Sequence, residues 1–300
     1  MEIATLFHNP GAGGEDHSKK ELVAMIENQG YKCRYSSTAE KGWKDDEIDP
    51  DSDFIIVAGG DGTIRKVTEL LLKRSVLDKR YPIGLIPLGT ANNIAKTLNL
   101  SGEPEDIVAG WNPKSICSFD VGRIDGIDEG GFFLESFGYG LFPYLMMEMK
   151  KRKKEIEDDP QEKLNQALDL INEIVTTYKP RHCNLQVDGE DHSGSYILAE
   201  VMNTRSIGPN LMLAPESTPD DGFLEVVALG AKDIPMFCDY VAKIRKEGFH
   251  SHPFKTIKGK EILISWEGTH VHVDDSTVKI PKLQEVKIEI REGLLEFLVP

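Results

Sequence analysis

The most concentrated chemistry in the sequence lies at residues 53–71, Asp-Phe-Ile-Ile-Val-Ala-Gly-Gly-Asp-Gly-Thr-Ile-Arg-Lys-Val-Thr-Glu-Leu-Leu. Gly59, Gly60 and Gly62 leave a turn without Cβ atoms, so its amides can approach a bulky anion. A helix starting there adds unpaired N–H groups and a positive dipole end, which together describe a phosphate cradle. Asp61 changes that expectation, because a carboxylate repels phosphate unless a divalent cation or a substrate hydroxyl lies between them. The stretch reads as a phosphoryl-transfer site, with a tight turn capped by Asp61 as the alternative. Neither the Walker A pattern nor the dinucleotide fingerprint fits the glycine spacing.

The elements that must hold this turn are legible around it. Phe54 to Ala58 is continuously apolar, as a strand buried on both faces must be, and Ile64, Val67, Leu70 and Leu71 recur at helical spacing. Ile3 to Phe7 is a second such strand, running into Asn9-Pro10-Gly11-Ala12-Gly13-Gly14. Ser18-Lys19-Lys20-Glu21 then forms a capping box before Leu22, Val23 and Ile26, and Gly30 is a stop signal. Tyr31 to Ser37 reads as a strand with Thr38 at its carboxyl end, where the hydroxyl serves either a nucleotide or an ordinary turn. Tyr81 to Ile86 leads into Pro87-Leu88-Gly89-Thr90-Ala91-Asn92-Asn93, with Gly89 and Thr90 at a strand-to-helix junction and Asn92 as a cap or ligand-facing amide. Loops at the carboxyl ends of parallel strands face one crevice, where open α/β sheets bind ligands. Residues 39–52 are polar, with weak periodicity and no assigned role.

With these pieces in order, the chain resembles the diacylglycerol kinase catalytic-domain family, soluble lipid kinases that include sphingosine and ceramide kinases. Asn9-Pro10 with its glycines, Gly59 to Thr63, Pro87 to Ala95, Leu213-Ala214-Pro215 and Asp221-Gly222 carry the resemblance. Gly-Gly-Asp-Gly-Thr alone also suits NAD kinases and phosphofructokinases; its combination with Gly-Thr-Ala-Asn-Asn and the later Asp-Gly is the stronger signal. The resemblance implies that Gly60, Asp61, Gly62 and Thr63, with Thr38 and Thr90, contact ATP, within loops that also include Asn9, Gly59, Gly89 and Asn92. It further implies that Asp61 helps hold a catalytic Mg2+ and that Asp120 extends the acidic network. Asn93 stands where many relatives have Asp, which keeps an oxygen ligand but removes a charge.

From about residue 114 the pattern changes to short strand-like runs punctuated by Gly and Asp, with helices expected near 140–178 and 232–247. The expected fold class is an α/β nucleotide-binding domain over residues 1–113, with a Rossmann-like, NAD-kinase-like parallel sheet, followed by a β-sandwich domain over 114–300. No low-complexity linker separates them, so a close-packed interface is expected, and the resemblance places the active site in the cleft between. The Pro219-Asp220-Asp221-Gly222 turn suits either a magnesium ion or an ordinary strand entry. The resemblance implies a structural magnesium held by the carbonyls of Thr218 and Phe223 and the carboxylate of Asp221. Bacterial relatives carry Asp-x-Glu near the end of this domain, the Glu taken as the base for the lipid hydroxyl. Here the stretch is His272-Val273-Asp274-Asp275-Ser276, with Ser276 at that place. Strand alternation would leave Asp274 and His272 on the face of Ser276 as substitutes. His270 and His272 with Asp274 suit either zinc or polar strand positions.

Composition narrows the function classes. A net charge of -15 argues against nucleic acid as the main partner. Cys33, Cys117, Cys183 and Cys238 form no Cys-x-x-Cys pair, so reduced thiols in a cytoplasmic protein are expected rather than a disulfide framework. The chain opens on a strand-like run and has no apolar stretch near the roughly 18 residues that span a bilayer. Phe142, Leu145, Met146 and Met149 followed by Lys150 to Lys154 form either a peripheral membrane anchor or a buried helix face with a solvated end. The expectation is an ATP- and Mg2+-dependent kinase acting on the hydroxyl of a diacylglycerol-like or sphingoid lipid at a membrane surface. Its rivals are a kinase for a soluble hydroxylated metabolite and a catalytically weak nucleotide- or lipid-binding homologue.

Overall fold

The computed structural model describes residues 1–13, 17–45, 48–75, 78–112, 115–128, 131–152, 159–248 and 253–300. The chain forms two compact units, Met1–Phe119 with Gly293–Pro300, and Asp120–Glu292. The expected boundary at 113 and 114 lies outside the described residues.

In the first unit the apolar runs become parallel strands β1 (Ile3–His8), β2 (Lys32–Ser37), β3 (Phe54–Gly59) and β4 (Ile83–Pro87). Helices α1 (Lys19–Asn28), α2 (Asp61–Leu72), α3 (Asn93–Thr97) and α4 (Pro104–Gly110) connect or follow them. The capping box at Ser18 and Glu21 forms as its spacing requires. Strand order is β2-β1-β3-β4, all parallel. The chain moves outward in one direction from β1 and in the other from β3, so the topological switch point falls between those two strands. Leu6, Ile56, Ala58 and Ile86 pack with Leu22, Ile26, Val108 and Trp111 in one core. Gly84 is fixed by packing, because a Cβ there would come within 2.9 Å of the Trp111 ring.

The second unit starts within β5 (Ile116–Asp125) and continues through β6 (Phe132–Phe133), β7 (Ser136–Gly140), α5 (Leu141–Lys151) and α6 (Pro160–Thr177). Next come β8 (Arg181–Val187), β9 (Glu190–Asp191), β10 (Gly194–Met202), β11 (Ser206–Ile207), β12 (Leu211–Met212) and β13 (Leu224–Gly230). The unit closes with α7 (Ile234–Glu247), β14 (Ile257–Gly259), β15 (Glu261–Trp266), β16 (His270–Val273), β17 (Ser276–Lys279) and β18 (Val286–Leu298), whose end lies in the first unit.

Its strand pairs are antiparallel, and alternate residues of β8, β15, β16 and β18 fill a sandwich interior with Tyr139 stacked on Trp266. β10 and β13 are buried on both faces: Ala199, Val201 and Val226 enter that interior, while Leu198, Met202 and Val227 meet α5, α6 and α7 in a second core. This explains the near-continuous apolar run of β10, which a one-sided strand would not need. Among the described residues, no helix is long and apolar enough to cross a membrane. Phe142 and Leu145 of α5 are buried in the helical core, so the apolar side of the expected anchor faces the protein's own interior. Lys151 pairs with Glu148 and Arg152 with Glu173. Lys153 and Lys154, with Glu155, Glu157 and Asp158, lie outside the described residues.

Candidate active site

The switch point of the first unit gathers the expected loops. Asn9 leaves β1, its amide donating to the Ala58 carbonyl of β3, and its side-chain amide donates to the Thr63 hydroxyl at 3.3 Å. Thr38, after β2, donates both its backbone N–H and its hydroxyl to the His8 carbonyl. Gly60 caps α2 without a side-chain bond, its carbonyl accepting the Thr63 and Ile64 amides, and the N-terminal end of the helix faces the loop. Glycine is required here by neighbours: a Cβ on Gly59 would lie 2.5 Å from the Thr63 hydroxyl, and one on Gly89 2.5 Å from the Gly60 Cα. The loops after β3 and β4 therefore touch backbone to backbone. Thr63 is buried and Thr90 exposed. Gly14 lies outside the described residues.

Asp61 and Asn92 tie the third loop down. The Asp61 carboxylate accepts the N–H groups of Asn93 at 2.9 Å and Ile94 at 3.1 Å, capping α3 rather than its own helix. Asn92 sits in the left-handed region (φ 52°), its side chain accepting from the Gly89 amide and donating to the Gly89 carbonyl. Asn92 thus braces the loop instead of presenting a free amide. Sequence reasoning missed Lys96, one turn into α3: burial lowers its pKa, and the adjacent Asp61 carboxylate opposes the shift without cancelling it. It also missed His8, a buried imidazole bonded to the Tyr35 hydroxyl at 3.0 Å, whose pKa is lowered by burial and by His17. Lys96 carries a readable signal, a cation three residues after the Asn-Asn junction; His8 carries none.

In the second unit the acidic residues brace turns. Asp120 is 2% exposed, its Oδ2 accepting the Gly222 amide at 2.8 Å and its own N–H donating to the Pro219 carbonyl. Asp221 accepts the Phe223 amide at 3.0 Å on one oxygen and the Lys258 ammonium at 2.9 Å on the other. That arrangement does not fit the expected magnesium at Thr218, Asp221 and Phe223. An ammonium of the protein's own already stands on the carboxylate, with the buried Glu225 carboxylate 3.4 Å behind it. Among the described residues no group of three or more His, Cys, Asp or Glu could hold a metal ion.

The stretch expected to supply a base is a hairpin. Val273 pairs with Ser276, and Asp274, at φ 51°, starts the two-residue turn between β16 and β17. Alternation stops at that turn, so Ser276 does not share the strand face of His272 and Asp274. Ser276 is exposed, its hydroxyl donating to Asp275 at 3.3 Å. Asp274 is 8% exposed and accepts the consecutive amides of Leu134, Glu135 and Ser136 at 2.8 to 3.2 Å, which makes it a brace for the entry to β7 and not a free base. His272 is buried on Glu200, Nε2 to Oε2 2.6 Å, with its Nδ1 on the Asp274 carbonyl at 3.1 Å. Burial alone would lower the His272 pKa, but the Glu200 carboxylate and the Asp274 carbonyl outweigh it and leave the value raised. His270 bonds Thr269 instead, so the two imidazoles have separate partners and form no zinc site.

Residues 3–124 match the model of the diacylglycerol kinase catalytic domain, and residues 159–296 that of the YegS C-terminal NAD kinase beta sandwich-like domain. Residues 3–124 of the chain belong to the diacylglycerol kinase catalytic-domain family. A diacylglycerol kinase of Bacillus subtilis is 27% identical over 263 residues, which cover 83% of this chain and 80% of that protein. A diacylglycerol kinase of Staphylococcus carnosus is 23% identical over 285 residues, 90% of this chain and 87% of that one. A crystal structure of a diacylglycerol kinase from Bacillus anthracis superposes with a TM-score of 0.73 at 21% identity, covering 100% of this chain and 97% of that one. The last shows a shared fold. Within this diacylglycerol kinase-type chain, the two family models meet the α/β unit and the sandwich unit described above.

Proposed function

We propose that the chain is a kinase that uses ATP and Mg2+ to phosphorylate the hydroxyl of a lipid, diacylglycerol-like or sphingoid, presented at a membrane surface on the cytoplasmic side. The observation that carries the reading is the Gly60–Gly89 contact between the loops after β3 and β4, beside the β1/β3 switch point. It sets the open end of α2, the Asn9–Thr63 pair and the Asp61 carboxylate around one glycine-lined crevice. ATP phosphates would lie against the α2 amides, with Gly59, Gly60 and Gly62 permitting close approach and Thr63, Thr38 and Thr90 at the rim. Asp61 is the carboxylate that would hold a magnesium ion there, which when bound supplies positive charge against the developing charge of the transferred phosphoryl group. Lys96 adds a fixed cation beside Asp61. The protein's share of the catalysis is positioning and charge, as phosphoryl transfer requires.

The names of the relatives support a lipid acceptor. A labelled-ATP assay against a panel of lipids and soluble polyols tests the reading: transfer to a lipid hydroxyl is expected, transfer to polyols alone would replace the acceptor, and no transfer would remove the activity. The 272–276 hairpin favours a second reading, slow turnover with intact ATP binding. Its carboxylate is committed to backbone amides and Ser276 is no base at neutral pH. General-base terms are worth about 10² to 10⁴ in rate, so Ser276→Glu is expected to raise the turnover number; fast wild-type turnover unimproved by that change would place the base elsewhere.

A further inference from the structure

A cavity of about 310 Å³ opens in the second unit between α5, the end of α6, the start of β8 and the β15–β16 turn. None of the residues so far assigned to the candidate site lines it. It is cationic in a protein whose net charge is -15: Lys179 and Arg181 line it, no Asp or Glu does, and among the described residues neither cation has an ion-pair partner. Lys279 stands across the hairpin from His270, a third lining residue, and adds positive charge nearby.

The walls have two characters. Arg181 lies 6.0 Å from the ring centre of Tyr178. Thr177 and Thr269 place hydroxyls in the same lining. The hydroxyls are already bonded, Thr177 to the Ile174 carbonyl and Thr269 to His270; the guanidinium fork and the ammonium alone offer more donors than a planar carboxylate can use, and they suit the three terminal oxygens of a phosphate. Opposite them Tyr144, 40% exposed and edge-on to Tyr178, joins Met147 on one face of α5. The volume sits at the lower end of small-molecule sites, roughly 300 to 1,000 Å³, and leaves space for an apolar body beside the anion.

We propose that this cavity is a binding site for a phosphate ester, its phosphate held by Lys179 and Arg181 and its organic part against Tyr144 and Met147. A soluble phosphorylated metabolite and a phospholipid headgroup share that chemistry. Phenyl phosphate is titrated calorimetrically into the full chain in the presence of saturating ATP analogue, so that the glycine-rich loops do not contribute. Lys179→Ala/Arg181→Gln is expected to weaken binding about tenfold to a hundredfold, since bonds to charged groups contribute about that much. Lys32→Ala/Lys246→Ala, which removes two remote cations, is expected to leave it unchanged. No binding to the wild type, or equal binding to the Lys179/Arg181 variant with an unchanged melting curve, overturns the site. Co-sedimentation with phosphatidylcholine vesicles, with and without phosphatidic acid, then assigns the source. Retention that needs phosphatidic acid and is lost in the same variant supports the headgroup, and phenyl phosphate binding without such retention supports a soluble ester.

Discussion

Asp61 and Asp274 do similar local work in different settings. Each carboxylate gathers backbone amides of a neighbouring segment, two at the start of α3 for Asp61 and three consecutive ones at the entry to β7 for Asp274. Asp61 is half-buried among glycines at a strand-to-helix junction, whereas Asp274 is 8% exposed at a hairpin corner. Asp61 keeps access to solvent, whereas Asp274 is enclosed by the amides of residues 134–136. The same residue type thus braces a helix start in one unit and a strand entry in the other.

The largest separation of the two should come from alanine at Asp61. Asp61→Ala is expected to lower turnover by roughly 10³-fold or more, as losses of charge-stabilising groups do, while costing about 1 kcal/mol of stability through the lost cap. Steady-state kinetics with urea unfolding checks both; full activity in a folded variant would reduce the loop to a turn. Asp274→Ala reverses the pattern. Three buried amides lose their acceptor, so unfolding free energy should fall by roughly 3 to 5 kcal/mol. A variant of unchanged stability but no activity would return Asp274 to the chemistry.

A third test uses the proton on His272. Its raised folded-state pKa means that its stabilising contribution is complete below the ordinary value of 6.5 and is lost as pH rises through the higher folded value. Urea midpoints measured from about pH 6 to 9 should decline on that account, and Glu200→Gln should flatten the decline. An identical pH profile in that variant would place the coupling elsewhere. The smallest effect concerns Lys258. Magnesium alone should leave the melting temperature of the wild type unchanged and raise that of Lys258→Met, where Asp221 and Glu225 lose their ammonium and the ion binds the folded state only. A magnesium-dependent rise in the wild type would restore a metal to the 219–223 turn.

What the residues disclosed in advance followed from strength of local signal. The β3 run, the Ser18–Glu21 box and the Gly59–Thr63 turn each combine a period with a stop or a cap, and each forms where its pattern requires. The 270–279 hairpin was illegible because Asp274-Asp275 lacks the glycine that announces a tight turn and the flanking alternation continues through it. The role of Asp61 toward α3 depends on a loop folding back across 32 residues, which spacing does not encode. Lys258 lies 37 residues from Asp221 and becomes its partner only through the β13–β14 pairing.

β18 gives the first sheet a debt that is settled late. Phe297 joins Ile83 of β4 in parallel register, 214 positions further along (297 minus 83), after the whole second unit has been made. At typical synthesis rates of about 5 to 20 residues per second, β4 waits roughly 10 to 40 s with its outer row of amides and carbonyls unpaired. A nascent chain is most open to edge-to-edge aggregation during that interval. Ribosome pausing between residues 120 and 292 should therefore lower soluble yield more than an equal pause before residue 83.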